Sequence, residues 1–203
     1  MTKKTVSEAI NYRRSVRVYD AGKSIDKNIV KKCIEQAALA PNSSNLQLWE
    51  FHHIRSKDKM AKISTACFNQ SAAKSAQQMV VFVSRKDLWK NRAKANLKFL
   101  NKQFDKPNLS SQLLRRKKQV NNYYKKVIPS IYTDLFGILG LIKFVVFHII
   151  GFFRPIYRQS RLSDMRIVAH KSTALAAQNF MISMAAIGYD TCPMEGFDSK
   201  RVK

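Results

Sequence analysis

Apolar residues recur at helical spacing in three parts of the sequence. The segment Thr5–Glu8 has the form of a capping box, which predicts a short helix directly after it. After Asp26, apolar residues lie three or four positions apart until Pro41, which predicts a second helix that ends before the proline. Residues 167–187 are rich in alanine, serine and methionine and are followed by Gly188, a pattern typical of a long, closely packed helix with a glycine at its end.

Two stretches have the character of strands. Glu50–Ile54 is a short strand candidate, and the unbroken apolar run Met79–Val83 is typical of a strand buried on both faces. Because helices and short strands alternate along the chain, the pattern predicts an α/β or α+β protein.

The charge of the chain is unusual. The 203 residues include 37 Lys and Arg against 13 Asp and Glu, a formal net charge of +24. With 45% hydrophobic residues the chain has enough apolar surface for a folded core, so the charge does not indicate disorder. It predicts polyanionic partners instead, such as nucleic acid, an anionic membrane surface or phosphorylated ligands.

The charge is concentrated around one apolar segment. Residues 85–126 hold 14 basic and 2 acidic side chains, and residues 135–153 then contain 14 large apolar residues with Lys143 and His148 as their polar interruptions. A second run of arginines follows. The sequence therefore predicts three parts: a globular part over 1–84, a basic and hydrophobic insertion over 85–166, and a return to the globular part over 167–203.

Other features narrow the class of protein. Three cysteines without C-x-x-C spacing favour a reducing compartment, and the first residues lack the apolar core of a secretory signal, so we expect a cytoplasmic location. The four histidines form no metal-binding motif, so no metal site is expected. The stretch A-G-K-S at 21–24 lacks the first glycine of a phosphate loop, and no G-x-G-x-x-G is present.

Two polar motifs are candidates for ligand binding. R-R-S-V-R at 13–17 offers guanidinium groups that match phosphate oxygens, although a basic helix end is the commoner role of such residues. P-N-S-S-N-L-Q-L-W at 41–49 offers neutral hydrogen-bonding groups, although such residues are also ordinary turn formers.

Taken together, these motifs resemble the nitroreductase family of FMN-dependent oxidoreductases. The resemblance adds Phe68-Asn69 ahead of the predicted second strand, and A-A-Q-N-F-M-I-S-M-A-A-I-G-Y-D leading into C-P-M-E-G-F-D. Its order and spacing match over 5–84 and 167–203. It implies an α+β fold, a three-layer sandwich with a central mixed sheet flanked by helices, and a discontinuous FMN-binding domain carrying a helical insertion over 85–166.

The resemblance also implies a homodimer with FMN bound at the subunit interface. Three groups of residues would hold the cofactor: one at its phosphate, ribityl chain and pyrimidine edge, one reaching the flavin from the other subunit, and one at the edge and face of the ring. They are Arg13, Arg14, Ser15 and Arg17; Pro41, Asn42, Ser43 and Asn45; and Asn69, Pro193, Met194, Glu195 and Gly196.

The implied activity is hydride transfer from NADH or NADPH through flavin N5 to a nitro, quinone or related electron-poor acceptor, with no catalytic side chain and no metal. A close alternative is an ene-type or dehalogenating flavoprotein. Two departures from the family pattern bear on cofactor binding. Position 72 is Ala where relatives often have Lys or Gln, with Lys74 nearby, and the sequence ends at Lys203, before a basic pair that relatives direct at the phosphate. We therefore expect a truncated chain or weak FMN binding.

Three roles are compatible with residues 135–153. The segment could insert partway into an anionic leaflet at the inner face of the membrane, cover the flavin as a lid, or form buried dimer surface. A single membrane span is excluded by the resemblance, because flavin motifs lie on both sides of the segment. The alternative from a different class of function is a non-enzymatic basic protein that binds membrane or nucleic acid. Its support is the basic segment in which the aromatic residues Trp89, Tyr123 and Tyr124 are interspersed. Since no nucleic-acid-binding module is recognisable, nucleic acid is not an expected partner.

Overall fold

A computed structural model of the chain describes residues 3–134, 137–159 and 161–203. The chain divides into two compact units. The first comprises 1–41, 50–83 and 174–203, and the second comprises 42–49 and 84–173. Their bounds differ from those of the predicted domains, which stay a prediction.

Helices α1 and α2 begin where the sequence places their caps. Helix α1 has the predicted capping box, in which Thr5 and Glu8 bond reciprocally, and the Asp26 side chain accepts a hydrogen bond from Asn28 N at the start of α2. Both predictions are confirmed. The helices of this unit are α1 (Val6–Tyr12), α2 (Lys27–Ala37), α3 (Lys57–Ala66), α4 (Ser71–Ser75) and α10 (Ser199–Val202).

Both predicted strands are present as β1 (Trp49–Ile54) and β2 (Met79–Ser84), which pair in a two-stranded sheet. The predicted burial of Met79–Val83 on both faces is wrong, since every residue of β2 is half-buried. Within the described residues β2 has one strand neighbour, which leaves its other edge without a paired strand. Edge-to-face contacts link Phe82 to Phe51, at 5.1 Å between ring centroids, and to Phe180, at 5.5 Å.

The second unit is helical. Its core holds Leu46, Leu48, Ala93, Ile128, Tyr132, Met165 and Ala169. A π-helical turn, Tyr123–Val127, joins two of its helices. The helices are α5 (Trp89–Asn101), α6 (Ser111–Asn122), α7 (Ile128–Tyr132) and α8 (Ile138–Phe153), and α9 (Leu162–Ala186) begins in this unit and ends in the first.

Helix α9 begins five residues before the predicted helix over 167–187 and ends one residue before the predicted end, at Ala186. Its end is as predicted: Gly188 has φ of +82°, and Tyr189 N donates to Met184 O at 3.0 Å.

The predicted apolar segment over 135–153 is observed as helix α8 from Ile138 onward, and residues 135 and 136 lie outside the described residues. No helix in the described part of the chain has the length and hydropathy needed to cross a membrane. One side of α8 is exposed and entirely hydrocarbon. This apolar face of α8 consists of Ile138, Leu141, Ile142, Val145, Val146, Ile149, Phe152 and Phe153.

Candidate functional site

The R-R-S-V-R segment leaves α1 in an extended form and lies beside the segment that leads into C-P-M-E-G. Ser15 forms an isolated parallel bridge with Thr191, and Val16 N donates to Thr191 O at 3.3 Å. Two motifs that lie far apart in the sequence are therefore neighbours in the first unit.

The three arginines of the segment differ in their availability. The Arg14 guanidinium donates to Asn11 O at 2.7 Å and to Arg13 O at 2.8 Å, so this side chain covers the carboxyl end of α1. Within the described residues, the half-buried Arg13 and the exposed Arg17 have no side-chain hydrogen bond or ion pair. Two of the three guanidinium groups are therefore available to an anion.

The segment Pro193–Gly196 is fixed from the side of α3 and α4. Gln70 Nε2 donates to Gly196 O at 2.8 Å, and Asp198 N donates to Ala66 O at 2.8 Å. In the described part of the chain, the N–H groups of residues 194–196 donate no hydrogen bond. Pro193, Glu195 and Gly196 are exposed and Met194 is half-buried, so this stretch can present successive peptide N–H groups to a ligand.

Asn69 occupies a strained turn that follows α3. Phe68 and Asn69 have φ of +57° and +52°, a backbone region that residues other than glycine seldom adopt. Asn69 N donates to Ser64 O at 2.9 Å, and the Ser64 hydroxyl lies 3.5 Å from Asn69 Oδ1. The turn holds Asn69, which is exposed, in a defined position.

A cavity of about 570 Å³ adjoins this turn. Asn69 lines it together with Lys74 and two further cations, Arg55 and Lys57. Lys74 therefore faces the same space as Asn69, although Ala72 occupies the position where relatives often carry a basic or amide side chain.

Further contacts complete the grouping in the first unit. Tyr19 N donates to Ser75 Oγ at 3.0 Å, which places the end of the arginine segment beside α4. Burial, with Cys192 and Asp190 nearby, raises the pKa of Tyr19 to about 12. The Thr191 hydroxyl oxygen is buried and lacks a hydrogen-bond partner among the described residues. These observations bring residues 13–17, Asn69 and 193–196 into one polar region.

The second polar motif divides between the units. Pro41 is exposed in the first, whereas Asn42, Ser43 and Asn45 belong to the second. Gln47 N donates to Asn42 Oδ1 at 2.8 Å, and φ is positive at Ser44, Asn45 and Gln47. Of the six non-glycine residues with positive φ in the described chain, five lie in this loop or at Phe68 and Asn69.

Residues of the 85–166 segment hold this loop. The hydroxyls of Ser44 and Tyr123 are 2.7 Å apart, and the Tyr124 hydroxyl donates to Ser44 O at 3.0 Å. Asn96 Nδ2 donates to Asn45 O at 2.6 Å. The predicted insertion therefore positions a predicted cofactor-binding loop, which the sequence did not indicate.

A smaller cavity of about 230 Å³ lies beside the same loop. Ser43 lines it with the hydroxyl-bearing Tyr123, Tyr132 and Tyr157 and with apolar side chains that include Met165. Burial raises the pKa of Tyr132 to about 12.

Sequence reasoning missed the residues that support the site. Gln70, Thr191 and Asn96 contact predicted site residues, and Tyr123 and Tyr124 contact Ser44 in the same loop, but none of the five was predicted to take part in the site. Gln70 alone had a local signal, because it directly follows the strained turn. Across the described residues no three His, Cys, Asp or Glu side chains come together as metal ligands could.

The described fold is of the α+β class, and the polar region of its first unit carries cationic side chains, among them Arg13, Arg17 and Lys74. The sequence profile of the nitroreductase family matches residues 10–203, and the chain therefore belongs to that family. The match runs through the 85–166 segment. A provisionally named NAD(P)H nitroreductase of Staphylococcus haemolyticus is 25% identical over 199 residues, which cover 98% of this chain and 77% of the relative.

Solved structures confirm the fold. A provisionally named NAD(P)H:FMN oxidoreductase from Staphylococcus epidermidis has a TM-score of 0.67 at 20% identity, over 100% of this chain and 79% of that one. A provisionally named nitroreductase from Exiguobacterium sibiricum, solved in complex with FMN, has a TM-score of 0.63 at 22% identity, over 100% of this chain and 80% of that one.

Proposed function

We propose that this chain is an FMN-dependent NAD(P)H oxidoreductase of nitroreductase type. The observation that carries the proposal is the grouping, within one compact unit, of two available guanidinium groups, a strained turn presenting Asn69, and three unpaired peptide N–H groups at 194–196. Membership of the nitroreductase family supports it, as does the FMN bound to the Exiguobacterium relative.

The residues of the first unit suit the polar parts of FMN. Arg13 and Arg17 match the phosphate and the electron-rich pyrimidine edge, where a cation stabilises negative charge. Asn69 and Lys74 offer donors to the ring edge, and the N–H groups of 194–196 suit the acceptors at N5 and O4. The buried Thr191 hydroxyl also lacks a partner in the described chain, which fits a region built to hydrogen-bond a ligand.

When bound, FMN would supply the redox chemistry, taking hydride from NADH or NADPH at N5 and passing it to a nitro, quinone or related acceptor. The protein's part is to bind and orient this cofactor. No side-chain nucleophile or general base is needed.

We further propose a homodimer in which Pro41, Asn42, Ser43 and Asn45 reach the flavin of the partner subunit. Support comes from the strained and internally bonded state of this loop, which fixes its backbone before any ligand arrives. A place on the inner membrane surface is a separate part of the proposal that depends on α8 and not on the cofactor. The alternative of a non-enzymatic nucleic-acid- or membrane-binding protein is not favoured by the family match.

The test removes cations from one basic cluster at a time. Arg13→Ala and Arg17→Ala should each weaken FMN binding about ten- to a hundredfold, because each removes a charge-assisted contact of about 1.5–3 kcal/mol. Binding is measured by quenching of FMN fluorescence during titration of the apoprotein, with NADH and NADPH oxidation as a second readout. A matched control, Arg115→Ala with Arg116→Ala on α6, should leave FMN affinity unchanged. If the control loses FMN and the Arg13 and Arg17 variants keep it, the cofactor residues have been assigned to the wrong cluster.

A further inference from the structure

Helix α8 presents its apolar side chains outward. Eight large apolar residues of this 16-residue helix are between 42% and 86% exposed, while Gly140 is its one buried residue. At 100° per residue the eight positions fall within an arc of about 140°. An ordinary surface helix has the reverse arrangement, with its apolar stripe buried against a core.

The charged residue of α8 points away from the apolar face. Lys143 is half-buried, donates to Thr133 O, and lies on the opposite side of the helix from Ile138 and Val145. Burial lowers its pKa, which agrees with this position. The apolar face is therefore entirely hydrocarbon, because its eight side chains carry no hydrogen-bonding group.

Arginines lie on the side of α8 away from the apolar face and at its carboxyl end. The Arg158 guanidinium donates to Gly151 O at 2.6 Å, and the Arg161 guanidinium lies 3.7 Å from the centroid of the Phe144 ring. Arg154, which is exposed, directly follows the helix. At 100° per residue, positions 144 and 151 lie about 130° and 150° from the centre of the apolar arc. The Arg158 and Arg161 guanidinium groups therefore lie on the side of α8 away from the apolar face, and Arg154 lies at the carboxyl end of the helix.

We propose that the apolar face of α8 docks on an anionic lipid surface, with α8 lying in the plane of the interface and Arg154, Arg158 and Arg161 at the level of the lipid phosphates. Two observations favour lipid over a protein partner. The face has no polar group that could fix the register of a protein ligand, and arginines lie on the opposite side of the helix and at its carboxyl end, as basic residues do in interfacial helices. The inference stands independently of the proposed cofactor.

The test is co-sedimentation of the full chain with vesicles. We expect it to bind phosphatidylcholine vesicles that contain phosphatidylglycerol, to bind pure phosphatidylcholine weakly, and to lose much of the binding at high salt. Ile142→Gln with Ile149→Gln removes apolar surface without changing charge, and should lower the partition coefficient at least about tenfold. Val6→Gln with Leu39→Gln makes the same change at exposed apolar positions elsewhere, and should stay within about twofold of the parent.

A second pair of variants tests whether the arginines beside α8 contribute more to vesicle binding than basic residues elsewhere on the protein. Arg154→Gln with Arg158→Gln should reduce binding to the anionic vesicles several-fold more than Lys31→Gln with Lys32→Gln, which removes the same charge from exposed positions on α2. FMN content, measured on every variant, should not change, so a failure of the cofactor proposal would be seen separately.

Three results would overturn the proposal: equal binding to both kinds of vesicle, binding to neither, or equal effects of the α8 variants and their controls. Sedimentation velocity would reveal a fourth result that overturns the proposal. If the Ile142→Gln, Ile149→Gln variant loses self-association while the parent binds no vesicles, a second copy of the chain covers this face instead of lipid.

Discussion

Helices α8 and α9 show that burial in this chain does not follow apolar content. Helix α8 is the more apolar by sequence, yet it has one buried residue, whereas α9 is rich in alanine, serine and methionine and buries residues along most of its length. The buried positions of α9 are Met165, Ala169, Ser172, Thr173, Ala176, Phe180, Met184 and Ala185.

The difference has a physical cause in side-chain size and hydrogen bonding. Small residues let neighbouring elements approach α9 closely, and its buried hydroxyls are satisfied within the helix, since Ser172 donates to Val168 O at 3.0 Å and Thr173 donates to Ala169 O at 2.9 Å. The eight large side chains on the apolar face of α8 have no such packing. An exposed apolar area of this kind on a protein surface indicates an interaction site.

The largest expected effect is on stability, and it compares one phenylalanine from each helix. Phe180→Ala on α9 should lower the free energy of unfolding by about 3–5 kcal/mol, because it leaves a cavity beside Phe82. Phe152→Ala on α8, where the side chain is 84% exposed, should change it by less than about 0.5 kcal/mol. Urea unfolding followed by circular dichroism measures both. Similar losses in the two variants would mean that α8 is packed as closely as α9.

A smaller effect on the free energy of unfolding is expected at alkaline pH, and it concerns the core of the second unit, against which α9 packs. Tyr132 shares that core with Met165 and Ala169, and burial raises its pKa to about 12 from an ordinary value of about 10. The folded state therefore holds its proton more tightly than the unfolded state, so stability is kept below pH 10 and is lost as pH rises towards 12.

Tyr132→Phe should remove about 1–2 kcal/mol of this alkaline loss. Urea midpoints measured across the range give the comparison, with Tyr123→Phe as a control at a tyrosine that is 38% exposed. An unchanged pH profile in Tyr132→Phe would show that this hydroxyl is not held in the core.

Local parts of this fold could be predicted from sequence, and long-range parts could not. The capping box of α1, the Asp26 cap of α2 and the Gly188 end of α9 depend on residues within a few positions of each other, and all were predicted. Strand β2 was predicted, but its half-buried state depends on how many strands pair beside it.

The site follows the same division. Its candidate residues were predicted through the family resemblance, while the contacts that position them were not. The bridge between Ser15 and Thr191 joins opposite ends of the chain, and the loop at 42–49 is held by Asn96, Tyr123 and Tyr124 from the predicted insertion. Such pairings arise from tertiary structure and leave no mark on spacing or periodicity. Arg14 is an example of a contact that local sequence could predict. Basic residues are commonly found at helix ends, and Arg14 donates to Asn11 O at the end of α1.

The visible absorption spectrum of the purified full chain measures FMN binding without any variant. We expect flavin absorption, with FMN identified as the chromophore after release by denaturation, or reconstitution of a colourless preparation by added FMN. A colourless protein that does not take up FMN, while its circular dichroism shows it to be folded, would contradict it.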